Sequence, residues 1–88
     1  MGNYRVVLSD QAAKYFKHCD AVMQERLRAK LDRLKEDPFD PQQSKPLKGR
    51  KEQRSARLGG LRIVFRVQGD AIVVGIIGPR GQVYKHGS

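Results

Sequence analysis

The 88-residue sequence predicts an α+β domain of order β-α-α-β-β-β(-β), an antiparallel sheet with a helical hairpin packed on one face. Three observations predict it. A β-rich pentapeptide, Tyr4 to Leu8, precedes leucines that recur at spacings of four and three. Prolines crowd the segment after those leucines. Three apolar runs follow, separated by Gly59-Gly60 and Gly69-Asp70. One domain over residues 1–88 is expected, because a chain of this length supports a single modest core.

Each element has a local cause. Tyr4 to Leu8 reads as a short strand. Ser9-Asp10 supplies an N-cap and an acidic first turn, so a helix runs from about Asp10 to His18. Ala12, Ala13 and Phe16 form its apolar face. Asp20 caps a second helix, Ala21 to about Glu36, with Leu27, Leu31 and Leu34 as its stripe and Val22 and Met23 extending it. Its outer face is charged, from Glu25 through Arg26, Arg28 and Lys30 to Glu36. Asp37-Pro38 stops it, since a residue before proline is pushed out of the α region. His18 and Cys19, between the helices, read as structural.

Residues 38–52 read as an irregular loop whose second half is basic: Lys45, Lys48, Arg50 and Lys51. Long ordered loops in small domains are often functional. Strands follow over Gln53 to Leu58, Leu61 to Gln68 and Ala71 to Ile77, with a last short strand or tail over Gln82 to Lys85. Gly78-Pro79-Arg80-Gly81 is expected to break the sheet and project Arg80.

The two glycine connections define a register. Leu58 should face Leu61, Arg57 face Arg62, Ser55 face Val64, Phe65 face Val74, and Ile63 face Ile76. Leu58, Leu61, Ile63, Phe65, Val67, Ile72, Val74 and Ile76 then form the wall covered by the helices. Ser55, Arg57, Arg62, Val64 and Arg66 face the other way, with Val73, Gly75 and Ile77. Two arginines directly opposite repel each other by a few tenths of a kcal/mol or more. A shared phosphate relieves that repulsion and matches the guanidinium forks.

The charge distribution points the same way. The net charge is +9, yet residues 1–44 carry eight Lys/Arg against seven Asp/Glu. Residues 45–88 carry ten against only Glu52 and Asp70. A polyanion is the natural partner of such a half. The longest apolar run, Ala71 to Gly78, is too short to span a bilayer, so no membrane partner is expected. One cysteine and two distant histidines offer neither a disulfide nor a zinc spacing, so no metal or cofactor is expected. The start of the chain lacks the long apolar stretch of a secretory signal, and a cytoplasmic setting is expected.

The whole chain resembles the RelE/ParE superfamily of toxins from toxin–antitoxin modules. Lys45-Pro46-Leu47-Lys48-Gly49 is similar to the family's P-L-x-G segment. Arg57-Leu58-Gly59-Gly60-Leu61-Arg62-Ile63-Val64-Phe65 resembles its arginine–glycine hairpin, and Gly78 to Lys85 resembles its terminal R-x-x-x-Y segment. The resemblance implies a toxin, with the RelE branch cutting mRNA in the ribosomal A site and the ParE branch poisoning DNA gyrase. The third-strand arginine and the Arg…Tyr ending are RelE-side features.

On that branch the reaction is metal-independent: the RNA 2′-OH attacks the adjacent phosphate and the 5′-oxygen leaves. Arg57 and Arg62 would hold the phosphate, Arg80 would stabilise added charge, and Tyr84 would orient a base or the attacking hydroxyl. Lys45, Lys48, Arg50, Lys51, Arg54, Arg66 and Lys85 would contact RNA or ribosome. A non-catalytic RNA-binding module is the remaining alternative. The resemblance also implies an acidic, amphipathic antitoxin segment that wraps the toxin, with operator DNA reached only through the antitoxin.

One departure stands out. Known members carry two lysines in the strand before the glycine turn, one acting as base. Here that stretch reads Arg54-Ser55-Ala56-Arg57. Arginine stays protonated and is a poor base. Lys48, Lys51 and His86 are the candidates the sequence leaves for that role.

Overall fold

The computed structural model describes residues 4–49 and 52–79. Both helices fall where the caps place them: α1 spans Asp10–His18 and α2 spans Ala21–Glu36. Ser9 Oγ accepts from Ala12 N at 3.1 Å, and Asp20 Oδ1 accepts from Met23 N at 2.8 Å. Asp37 ends α2 in extended backbone, ahead of Pro38. Val22 does not extend the leucine stripe: it is 70% exposed, whereas Met23, one residue on, packs against the core.

The strands are β1 (Arg5–Leu8), β2 (Lys45–Pro46), β3 (Gln53–Leu58), β4 (Leu61–Gln68) and β5 (Ala71–Pro79). Among the described residues they form one sheet in the order β1-β5-β4-β3-β2. The sheet is mixed rather than wholly antiparallel, since β1 runs parallel to β5, Arg5 opposite Ala71 and Leu8 opposite Val74. No local turn joins these two strands, so nothing in the adjacent sequence announces their direction. Part of the expected loop is also a strand. Lys45 and Pro46 pair with Ser55 and Arg54, and Leu47 N donates to Gln53 O at 2.9 Å. Proline is tolerated there because β2 is an edge.

The β3–β4 register agrees with expectation, Arg57 opposite Arg62 and Leu58 opposite Leu61. In both glycine turns only the first residue has positive φ, Gly59 at 57° and Gly69 at 58°. That is the pattern of a II′ connection.

The β4–β5 register departs from expectation at one point. Phe65 faces Val74, but Val64 faces Ile76 and Ile63 faces Ile77. Gly75 is therefore the extra residue of a β-bulge. The bulge reverses the alternation beyond it: Ile77 is fully buried and Ile76 only half-buried. The expected inward Ile76 and outward Ile77 are thus exchanged. The strand also runs through Gly78 to Pro79 instead of breaking at Gly78. Pro79 is acceptable because β1 pairs only as far as Val74 and leaves the outer edge of β5 open.

Backbone and side-chain groups of the β1–α1 junction satisfy that open edge. Ser9 N donates to Val74 O at 2.9 Å, and Ser9 Oγ donates to Gly75 O at 2.6 Å. Gln11 Nε2 donates to Ile77 O at 3.0 Å, and Ile77 N donates to Gln11 Oε1 at 3.1 Å. The core lies between the helices and the inward face. Phe65, Leu27, Leu34, Ile63, Ile72, Ile77 and Val74 are its largest fully buried hydrophobic side chains. Among the described residues no helix is long and apolar enough to cross a membrane.

Candidate nucleic-acid interface

The hairpin β3–β4 sets the site. Alternation puts Ser55 and Arg57 on the face away from the core, and pairing puts Arg62 beside them. Arg62 is half-buried, and its Nη1 donates to Ser55 Oγ at 3.1 Å. This bond crosses the ladder diagonally and holds the guanidinium down on the sheet. Across β4, Arg62 faces Gly78, so no side chain from β5 crowds it from that side. The bulge at Gly75 is what brings Gly78 there.

Lys45, opposite Ser55, brings a third cation to the edge. The preceding loop is built to deliver it. Asp37 Oδ1 accepts from Phe39 N, Asp40 Oδ1 accepts from Gln42 N, and the buried Ser44 Oγ donates to Pro38 O. The loop and strands enclose a pocket of about 240 Å³ lined by Lys45, Ser55, Arg57, Arg62, Gln43 and Lys30.

Lys30 is the residue that sequence reasoning missed. The sequence places it on the charged outer face of α2, yet its Nζ donates to Gln43 Oε1 at 2.8 Å, and both residues line this pocket. A signal existed. Lys30 lies three residues after Leu27 and four before Leu34, so it flanks the buried stripe. Burial and then the neighbouring Arg33 lower its pKa below the ordinary lysine value, while Asp40 opposes them.

The other expected contact residues are dispersed. Arg54 stands opposite Phe65, on the helix-facing side of β3. Its Nε donates to Ser44 Oγ at 2.8 Å, its Nη2 to Ser44 O at 3.2 Å, and it stacks over Phe39 at 5.3 Å. Arg54 thus braces the loop, and with Phe39 it lines a separate groove of about 760 Å³. Arg66 is exposed further along the outward face, and Lys48 is exposed in the loop. Arg50, Lys51, Arg80, Tyr84, Lys85 and His86 lie outside the described residues, as does the expected strand over Gln82 to Lys85. Cys19 is half-buried, and burial, then Asp20, push its thiol pKa up.

A small α+β domain with cations converging beside one sheet face defines a basic protein class. The family match makes this specific. The family described as "ParE toxin of type II toxin-antitoxin system, parDE" matches residues 6–84, and the chain belongs to that family, within the RelE/ParE superfamily.

Solved structures agree on the fold. The archaeal RelE–RelB complex from Pyrococcus horikoshii is 25% identical, covers 91% of this chain and 98% of its own, with a TM-score of 0.76. The isolated E. coli RelE toxin is 23% identical, covers 96% and 94%, with a TM-score of 0.75. The YoeB dimer from Staphylococcus aureus is 21% identical, covers 84% and 93%, with a TM-score of 0.70. Comparison with curated proteins found no match. The protein is a toxin of a type II toxin–antitoxin system.

Proposed function

We propose that this toxin is a ribosome-dependent endoribonuclease that cuts mRNA in the A site. The observation that carries the reading is the pocket in which Arg57, Arg62 and Lys45 converge. Forked guanidinium donors match phosphate oxygens and stabilise the charge that grows on a phosphorane. In this reading the 2′-oxygen attacks phosphorus, the 5′-oxygen leaves, and Arg57 and Arg62 grip the scissile phosphate. Arg80 and Tyr84 take the charge-stabilising and orienting roles that the resemblance implies.

The partner in this reading is a cognate antitoxin, as in the RelE–RelB complexes to which the chain is similar. Its acidic, amphipathic segment covers the basic face and makes the operator contacts, and the toxin works in the cytoplasm on ribosome-bound mRNA.

The ParE family match favours one second reading, inhibition of DNA gyrase. Parallel assays separate the two. Purified toxin is added to programmed ribosomes and to a gyrase supercoiling reaction. The nuclease reading expects mRNA cleavage that Arg62→Ala and Arg80→Ala abolish without loss of fold. Cleavage retained by both variants, or gyrase inhibition without cleavage, overturns it.

A further inference from the structure

The pocket holds two arginines that grip phosphate but cannot accept a proton near neutral pH. A reaction that begins with an RNA hydroxyl needs an acceptor. We infer that Lys30, reaching in from α2, is the general base that takes the 2′-hydroxyl proton. The inference rests on the nuclease reading above and names the residue that reading lacks.

Four observations carry it. Lys30 lines the same pocket as Arg57 and Arg62. Its Nζ is held by Gln43 Oε1 at 2.8 Å, so the amine is positioned rather than trailing in solvent. A neutral amine keeps an N–H for Gln43 and leaves its lone pair for a proton. The stem flanks the buried leucines of α2, so the head group enters from a rigid element.

The charges around Lys30 also favour the neutral amine. Burial and Arg33, one turn along α2, lower its pKa. Lys45 from β2, Arg57 from β3 and Arg62 from β4 line the same pocket. Asp40, from the loop, is the opposing carboxylate.

The step balances. The proton passes from the 2′-hydroxyl to Lys30 Nζ as the 2′-oxygen bonds to phosphorus. The bond from phosphorus to the 5′-oxygen breaks, and that oxygen takes a proton from water. The lysine ammonium returns its proton to the resulting hydroxide. The products are a cyclic phosphate and a free 5′-hydroxyl, with no oxidation or reduction.

Single-turnover mRNA cleavage on programmed ribosomes, followed across pH, tests this. Lys30→Arg keeps the charge but not the base, so cleavage should fall by about 100-fold or more while toxin binding to the ribosome persists. Ethylamine should restore part of the activity of Lys30→Ala. The unaltered protein should gain rate with rising pH and level off below the ordinary lysine range. Arg33→Gln removes a cation and should move that limb to higher pH; Asp40→Asn should move it lower.

Cleavage by Lys30→Arg within about threefold of the unaltered rate, with the same pH profile, overturns the assignment. If Lys30→Arg does not fold, the two shifts decide, and an unmoved limb overturns it. Loss of cleavage in Arg62→Ala with none in Lys30→Arg rejects Lys30 alone. A parent protein that cuts no mRNA rejects the nuclease reading and this inference with it.

Discussion

Ser9 and Gln11 show how much one polar side chain can hold in a small domain. Ser9 Oγ caps α1 and bonds the carbonyl of the bulged Gly75, while Gln11 takes both the N–H and the C=O of Ile77. These bonds replace the partner strand that β5 loses after Val74. Ser9→Ala should therefore cost about 1–2 kcal/mol in chemical denaturation, the loss of a cap plus an orphaned acceptor. Gln11→Ala should cost about 1–3 kcal/mol and make the Ile77 amide exchange faster, read by hydrogen exchange. Unchanged protection at Ile77 would show that the strand end is held by something else. Ser9 as a cap was legible from its place before an acidic first turn. Its second bond was not, because its partner is 66 residues away.

At the scale of elements, glycine positions separate into two kinds. Gly59 has φ 57°, where a side chain is strained, although its added Cβ would meet only Arg26 Nη2 at 3.6 Å. Gly75 lacks a positive φ, and its Cβ would sit 3.9 Å from Val64 O. Gly59→Ala should lower stability by about 1–2 kcal/mol, and Gly75→Ala should change it by less than about 0.5 kcal/mol. Thermal melts of both variants check this, and equal losses would contradict it. The sequence exposes the first kind well, since a two-residue glycine loop between alternating runs has few other solutions. The second kind reads in the sequence only as one more outward-facing strand position. A bulge depends on how two strands meet the core, and its effect was to exchange Ile76 and Ile77. The strand at Lys45 and Pro46 escaped notice for a related reason: two residues carry no periodicity.

For the whole molecule, the surplus of positive charge makes anion binding a lever on stability. A ligand that binds only the folded state stabilises it in proportion to occupancy. Sulfate at about ten times its dissociation constant should add on the order of 1.4 kcal/mol, raising the melting temperature by roughly 5–10 °C. An Arg57→Gln/Arg62→Gln double variant should lose this rise and keep only the general salting effect that both proteins share. An equal rise in the variant would place the anion site elsewhere on the surface. The arginine pair was legible in advance because hairpin register follows from loop length. The fourth cation of that pocket, Lys30, was not, because its path runs from a helix to a pocket built by a distant loop.

The sequence by itself determined the two helices, the β3–β4 hairpin with its facing arginines, and the concentration of charge in the second half. All of these rest on contacts between near neighbours: caps, helical spacing, glycine turns and strand alternation. Tertiary structure alone decided the parallel placement of β1, the bulge at Gly75, the anchoring of Arg54 on Ser44 and Phe39, and the entry of Lys30 beside Arg57 and Arg62. Those features depend on which distant surfaces meet once the core closes. Charge in the sequence marked a basic half; only packing selected which lysine lines a pocket with the arginines.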